Sequence, residues 1–304
     1  MQITPEILSI HRLTQEEYDL IVKQIGRTPN LEELGVFSAM WSEHCGYKNT
    51  KPLLKKLPTQ GPRVVHGPGE NAGVIDIDDN DAIAFKIESH NHPSAVDPYN
   101  GAATGVGGVL RDIFTMGARP IAVLDSLRFG QPHLEQTQHL IKGVKEGLAG
   151  YGNVMGIPTL SGEVFFDKTY NQNILVNAMC VGLVKKDKII TSKASGIGNW
   201  LVYYGAATGK DGVHGASFAS VKLEEEKPTN TIPKGNPHLE KAILEATLEL
   251  IEKNLIIAGQ DMGAAGITSS CTEMGAKGGN GVKINLDALP KEDPNITPYE
   301  MLLS

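Results

Sequence analysis

The sequence predicts an α/β fold, an α+β sandwich in which helices cover one face of a sheet, and three observations carry that prediction. From about residue 62, stretches with a strand's two-residue alternation and stretches with a helix's 3.6-residue period follow one another in the order β-α-β-α-β-β. Ahead of them, residues 1 to about 57 read as helical. The 34 glycines in 304 residues, about 11% where average usage is about 7%, gather in short loops rather than one tract, which marks tight turns and close backbone approaches.

Each element has its own signal. Thr14 followed by Glu17 is a capping box, and Tyr18, Ile21, Val22 and Ile25 recur at helical spacing up to Gly26. Asn30 caps a second helix through Leu34, Phe37, Met40 and Trp41, which runs into Ser-Glu-His-Cys-Gly-Tyr at 42–47. Residues 81–89 alternate as a strand. Residues 101–116 form a helix with Ala102, Val106, Val109, Leu110 and Ile113 on its apolar face, stopped by Gly117 and Pro120. Residues 121–127 are a strand, 134–148 a helix ended by Gly150, and strands follow near 158–166 and 174–184. A lysine-rich turn at 185–188 and Ser-Gly-Ile-Gly at 195–198 mark a boundary. The expected units are a helical linker over 1–57, a first α/β domain over 62–187 and a second domain over 195–304.

The second domain opens on a strand at 200–204. Asn236 and Pro237 then start a helix over 238–253 with Leu239, Ile243, Ala246 and Leu250 on one face, and 255–258 is a strand. Thr297-Pro-Tyr-Glu300 is a capping box with proline at the first helical position, yet only four residues follow. A helix of about two turns is marginal alone, so the expectation is an N-terminal fragment whose second domain is truncated.

Charge and cysteine usage narrow the function. A net charge of −7 disfavours nucleic-acid and anionic-membrane partners, which reward a basic surface, while phosphates remain reachable through Mg²⁺ and backbone N–H groups. Cys45, Cys180 and Cys271 are odd in number, far apart and without a Cys-x-x-Cys pair, which fits a reducing compartment. The N-terminus lacks the basic region and apolar run of a signal peptide, and no stretch nears the roughly 18 apolar residues of a membrane span. A cytoplasmic protein is expected.

The segment Asp81-Ala-Ile-Ala-Phe-Lys-Ile-Glu-Ser-His-Asn-His-Pro93 carries the most chemistry. Alternation puts Ile83, Phe85 and Ile87 on one face, expected to be the core, and Ala82, Ala84, Lys86, Glu88 and His90 on the other. Small residues followed by an amine, a carboxylate and an imidazole about 6.6–7 Å apart suit a cleft wall. The bland alternative is a solvated sheet face with an ordinary ion pair. His90-Asn-His92 also matches the His-x-His pair of zinc hydrolases, with Glu88 as general base, although no further His or Cys cluster completes a zinc shell.

Downstream, Gly101-Ala-Ala-Thr-Gly-Val-Gly-Gly108 leads to Arg111 and Asp112. At a helix start, small residues admit a phosphate to the backbone N–H groups; Arg111 can fork onto it and Asp112 can hold Mg²⁺. The same glycines serve equally as a packing device. Gly205-Ala-Ala-Thr-Gly-Lys210-Asp is one residue short of a P-loop and has Asp where Ser or Thr holds the metal, so it reads as a glycine turn. Gln260-Asp261-Met-Gly-Ala-Ala-Gly266 puts a carboxylate beyond a strand, placed for a metal or, more plainly, as an N-cap. His44 and Cys45 are helix neighbours about 100° apart and cannot form a Cys–His pair, so Cys45 reads as a small buried residue.

With these residues in hand, the chain resembles the phosphoribosylformylglycinamidine synthase family, in the small multi-subunit bacterial form of its synthetase subunit. The likeness covers essentially the whole chain. It rests on Trp-Ser-Glu-His-Cys-Gly-Tyr-Lys (41–48), Gly-Pro-Gly-Glu-Asn-Ala-Gly (67–73), Phe-Lys-Ile-Glu-Ser-His-Asn-His-Pro-Ser-Ala (85–95), the glycine run with Arg-Asp-Ile-Phe (111–114), Asp-Ser-Leu-Arg-Phe-Gly (125–130) and the motif around Asp261. The resemblance implies the aminoimidazole-ribonucleotide-synthase-like two-domain unit behind a helical linker. It implies a ligase in which ATP phosphorylates the amide oxygen of formylglycinamide ribonucleotide and ammonia displaces the phosphate, giving the amidine in de novo purine synthesis. Ammonia would come from a glutaminase subunit, with a small bridging subunit completing the complex.

Carried over by position, His44 and His90 are the active-site histidines, with His90 as proton acceptor. Tyr47 and Lys86 would contact ATP, Glu88 would hold one Mg²⁺, and Asp112 and Asp261 another. Ser89, His90, Asn91, His92 and Arg111 would bind substrate. Two departures stand out. In Thr231-Ile-Pro-Lys-Gly-Asn-Pro237, Pro233 occupies a place where the family usually has a substrate-contacting Gln. The family also continues past Leu-Leu-Ser with Glu-Ser-Gln and a second copy of the two-domain unit. Because the superfamily shares nucleotide sites between paired halves, this chain by itself is expected to lack full activity. A non-catalytic assembly module, without magnesium-dependent nucleotide binding, is the remaining alternative.

Overall fold

The computed structural model describes residues 3–215, 232–263 and 265–304; Thr231 and Ala264, each within a motif named above, lie outside them. Helices α1 (Pro5–Ile10), α2 (Gln15–Ile25) and α3 (Leu31–Met40) each start on a side-chain cap, Thr4 for the first and full capping boxes, Thr14 with Glu17 and Asn30 with Glu33, for the other two. They enclose a small core of Leu8, Leu13, Ile21 and Leu34, edged by Tyr18, Phe37 and Trp41. The short helices α4 (Glu43–Gly46), capped by Ser42, and α5 (Lys51–Leu54) follow.

Strands β1 (Val64–His66), β2 (Gly73–Asp76), β3 (Asp81–Ser89), β4 (Arg119–Phe129), β5 (Thr159–Phe166) and β6 (Leu175–Lys185) form one sheet in the order β1-β2-β3-β6-β4-β5. Neighbours are antiparallel except β4 and β5, whose parallel crossover is helix α8 (Glu135–Met155). Gly150 does not end α8; the helix runs on to Gly156, which takes the left-handed conformation at φ 75°. Helices α6 (Asn91–Val96) and α7 (Pro98–Phe114) link β3 to β4.

The face covered by α7 and α8 is the opposite of the expected one. Ala82 and Ala84 are fully buried in the core with Val109, Leu110 and Ile113 of α7, while Ile87 is 56% exposed and Ile121 and Leu183 also lie open. Alternation separates two faces but does not say which the helices choose. Close packing decides it. At Gly182, the β6 partner of Ala84, an added Cβ would sit 2.4 Å from Ile113, so only the small-residue face lets α7 lie down.

Beyond β6 come helices α9 (Pro237–Glu252), α10 (Gly266–Gly278) and α11 (Pro298–Leu303). Asn236 caps α9, but its buried stripe is Glu240, Leu244, Thr247 and Ile251, one position on from the expected Leu239, Ile243, Ala246 and Leu250. The strands expected at 200–204 and 255–258 do not form. A strand exists only within a ladder, and no described residue pairs with either stretch; Trp200 is 94% exposed, and Val202, Leu255 and Ile257 lie open. The short α11 is held from outside: Leu303 packs with Ala39 of α3, and the Tyr299 hydroxyl lies 2.8 Å from His11 Nε2. No described helix is long and apolar enough to cross a membrane.

Candidate active site

The site grows from the C-terminal end of β3, where α7 crosses the face that carries Lys86 and Glu88. Lys86 Nζ lies 3.1 Å from Asp112 Oδ2 on α7 and 3.9 Å from Glu88 Oε2, and it donates to the Asn71 carbonyl at 3.2 Å. Arg111, the residue before Asp112, turns about 100° away around the helix. Its Nη1 is 3.0 Å from Glu240 Oε2 of α9, and its Nε is 3.7 Å from Asp261 Oδ2. Asp261 therefore pairs with a charge rather than capping a helix: α10 begins at Gly266 without a side-chain cap.

Beyond Ser89 the chain turns at His90 into α6. His90 Nδ1 lies 2.5 Å from the Gly101 carbonyl of α7. A carbonyl only accepts, so Nδ1 carries the proton and Nε2 keeps its lone pair. Burial pushes the His90 pKa down, overcoming the bond to Gly101, and burial lowers His44 as well, with Glu88 and Lys86 within electrostatic range. Both imidazoles are thus neutral near pH 7. Tyr47, left-handed at φ 50° at the end of α4 and half exposed, lies in the field of Lys86 and Glu88.

The glycine run does not open the helix. With Asp97 as N-cap and Pro98 at the first position, residues 101–108 lie inside α7. An added Cβ would stand 2.3 Å from Ser94 N at Gly101, and 3.0 Å from His90 Cβ at Gly105. The run lets α7 touch α6 and His90; the phosphate-cradle expectation gives way to packing.

Charge is unevenly shared here. Burial pushes the Asp112 carboxyl well above the usual range, and the neighbouring Asp261 charge adds to it; burial likewise raises Asp261, against the pull of Arg111 and Lys86. Burial works against the Lys86 ammonium, but Asp112 and Glu88 more than offset it and its pKa stands above the usual lysine value. Four carboxylates, Glu88, Asp112, Asp261 and Glu240, thus face two cations, Lys86 and Arg111. A divalent cation would relieve that excess. Among the described residues no group of three or more His, Cys, Asp or Glu is placed to hold a metal unaided. Magnesium does not require one, since it binds through one or two carboxylates plus substrate phosphates, and these hard oxygen donors fit it.

The other expected residues are less gathered. Ser89 alternates to the open face and is exposed. Asn91 Oδ1 accepts a hydrogen bond from the Val176 N–H at 2.8 Å, tying α6 to β6, and His92 is half-buried on α6. Pro233 is exposed. Burial pushes the Cys45 thiol up to about 11, so it is no thiolate at neutral pH. Sequence reading missed Asn71, Glu240 and Tyr151. The available signal for Glu240 was its spacing, four residues before Leu244 on the stripe that is buried.

Residues 69–184 match the family described as AIR synthase related protein, N-terminal domain; residues 196–304 match the corresponding C-terminal domain; and residues 9–48 match the formylglycinamide ribonucleotide amidotransferase linker domain. The phosphoribosylformylglycinamidine synthase subunit PurL of Allorhizobium ampelinum is 57% identical over 304 residues, 99% of this chain and 41% of that protein. Among solved structures, T. maritima PurL complexed with FGAR aligns at 45% identity and a TM-score of 0.86, over 95% of this chain and 46% of the other. T. maritima PurL complexed with ATP aligns at 42% and 0.82, over 96% and 45%. PurLQS from Thermotoga maritima aligns at 43% and 0.80, over 96% and 44%. The chain spans about two fifths of the length of the curated relatives it matches.

Proposed function

The chain belongs to the AIR synthase related family, on the branch of the phosphoribosylformylglycinamidine synthase subunits, and from that premise we propose that it supplies ATP- and substrate-binding machinery to an amidine-forming ligase. ATP phosphorylates the amide oxygen of formylglycinamide ribonucleotide, and ammonia then displaces phosphate, a step of purine synthesis in the cytoplasm. A glutaminase subunit delivers the ammonia and a small bridging subunit completes the assembly, a reading supported by the likeness to PurLQS. Residues 1–57 act as linker, 62–187 as the first domain and 195–304 as the second.

The observation that carries this reading is the meeting of Lys86, Arg111 and the carboxylates Glu88, Asp112 and Asp261 at one end of β3, with the His44 and His90 imidazoles within electrostatic range of Glu88. Phosphoryl transfer needs little covalent help from a protein; it needs positioned groups that neutralise phosphate charge. Lys86 and Tyr47 face ATP, while Ser89, His90, Asn91, His92 and Arg111 take the substrate. Glu88 would hold one Mg²⁺, and Asp112 with Asp261 another, and the bound ions would supply charge neutralisation on the phosphates. His90, with its Nδ1 proton held by Gly101, offers Nε2 to the proton that incoming ammonia must lose, and His44 assists beside it.

The test is turnover of the intact protein with formylglycinamide ribonucleotide, ATP, Mg²⁺ and ammonium, following ADP and amidine together. Glu88→Ala and His90→Ala are each expected to lose at least about 100-fold. Wild-type rates in both variants would sink the proposal. Activity that needs Zn²⁺ and no ATP would favour the His-x-His hydrolase instead.

A further inference from the structure

Arg111 meets a carboxylate to which no motif points. Glu240 is 6% exposed on α9, and its Oε2 accepts hydrogen bonds from Arg111 Nη1 at 3.0 Å and from the Tyr151 hydroxyl of α8 at 2.6 Å. Room for this junction is cut from both sides. An added Cβ at Gly107 of α7 would lie 2.6 Å from the Tyr151 hydroxyl and 3.1 Å from Glu240 Oε2, and one at Gly235 would lie 2.7 Å from Tyr151 Cε2. Three helices far apart in sequence therefore converge on one buried carboxylate oxygen. The Arg111 side chain keeps a third of its surface open, so it stays reachable by a ligand while its Nη1 is held on a fixed base. An arginine clamped in advance has less rotamer freedom to lose when it captures an anion.

We infer that Glu240, backed by Tyr151, is a positioning residue for Arg111, and that the second domain thereby sets how tightly the substrate's anionic group is held. This rests on the reading of Arg111 as a substrate ligand and deepens it. Loss of a simple polar tie between helices would lower stability and weaken every ligand together. Loss of a positioning residue weakens substrate binding alone.

The experiment titrates the intact protein by calorimetry with formylglycinamide ribonucleotide and, separately, with ATP and Mg²⁺, alongside steady-state rates and melting temperatures. Glu240→Gln keeps the shape and an acceptor oxygen but drops the charge. It is expected to raise the substrate dissociation constant and KM on the order of tenfold, with kcat and ATP affinity near wild type. Tyr151→Phe is expected to move the same quantities in the same direction by less. Unchanged substrate affinity in Glu240→Gln, or equal weakening of ATP and substrate with a lowered melting temperature in both variants, overturns the inference. Wild-type protein that does not bind formylglycinamide ribonucleotide takes down the functional reading beneath it, an outcome distinct from the other two.

Discussion

The sheet domain and the region after residue 195 contribute to the site in different ways. Under α7 and α8 the sheet domain has a continuous core in which Val109, Leu110 and Ile113 are fully buried. The later region leaves Trp200, Val202 and Ile257 largely open and is organised by helices leaning on other parts of the chain: α9 on α7 and α8, α11 on α3. Yet that less enclosed region supplies Glu240 and Asp261, the two carboxylates on either side of Arg111. The first region provides rigidity, and the second provides charges delivered to it.

Four substitutions sharpen or break that division, each read by urea unfolding. Phe114→Ala, at a side chain 1% exposed in the sheet-domain core, should lower stability by about 3–5 kcal/mol. Asp125→Asn should raise it at pH 7. Burial lifts the Asp125 carboxyl from 3.8 to about 6, and among the described residues its Oδ1 has no hydrogen-bond partner. Between those values the native state holds a proton that the unfolded chain releases, so stability falls as pH rises through that window and the whole cost is present at pH 7. At 1.36 kcal/mol per unit the gain is at most about 3 kcal/mol, and the variant should lose the pH slope between about pH 4 and pH 6.

Gly101→Ala forces a Cβ against the α6 backbone and should cost about 1–3 kcal/mol while disturbing His90. Trp200→Ser, by contrast, should stay within about 0.5 kcal/mol. A large loss at Trp200, or a small one at Phe114, would mean that the two regions are not as different as their burial indicates.

The same contrast explains what could be read before any coordinates. Helix starts are local, and Thr14, Asn30, Asn236 and Thr297 each cap the helix that their neighbours announced. Strands depend on distant partners. Residues 81–89 and 174–184 became neighbours in a ladder, whereas 200–204 and 255–258 carried similar apolar patterns and found no described partner. Lys86 and Glu88 were placed on one face by alternation alone, but which face the helices would cover depended on Gly182 and Ile113, far away in sequence. Glu240 hid because a charged residue on a buried stripe masks the phase of its helix. The role of each site residue came from family resemblance, which alternation and capping do not reach.

Under the proposed function, carboxylates from both regions make an ATP site that works only with a divalent cation. Calorimetric titration of ATP into the intact protein, with and without Mg²⁺, tests it most directly when wild type is compared with Asp112→Asn. The account predicts binding in wild type that requires Mg²⁺ and is lost in the variant. Equal binding by both proteins in the absence of Mg²⁺ would contradict it.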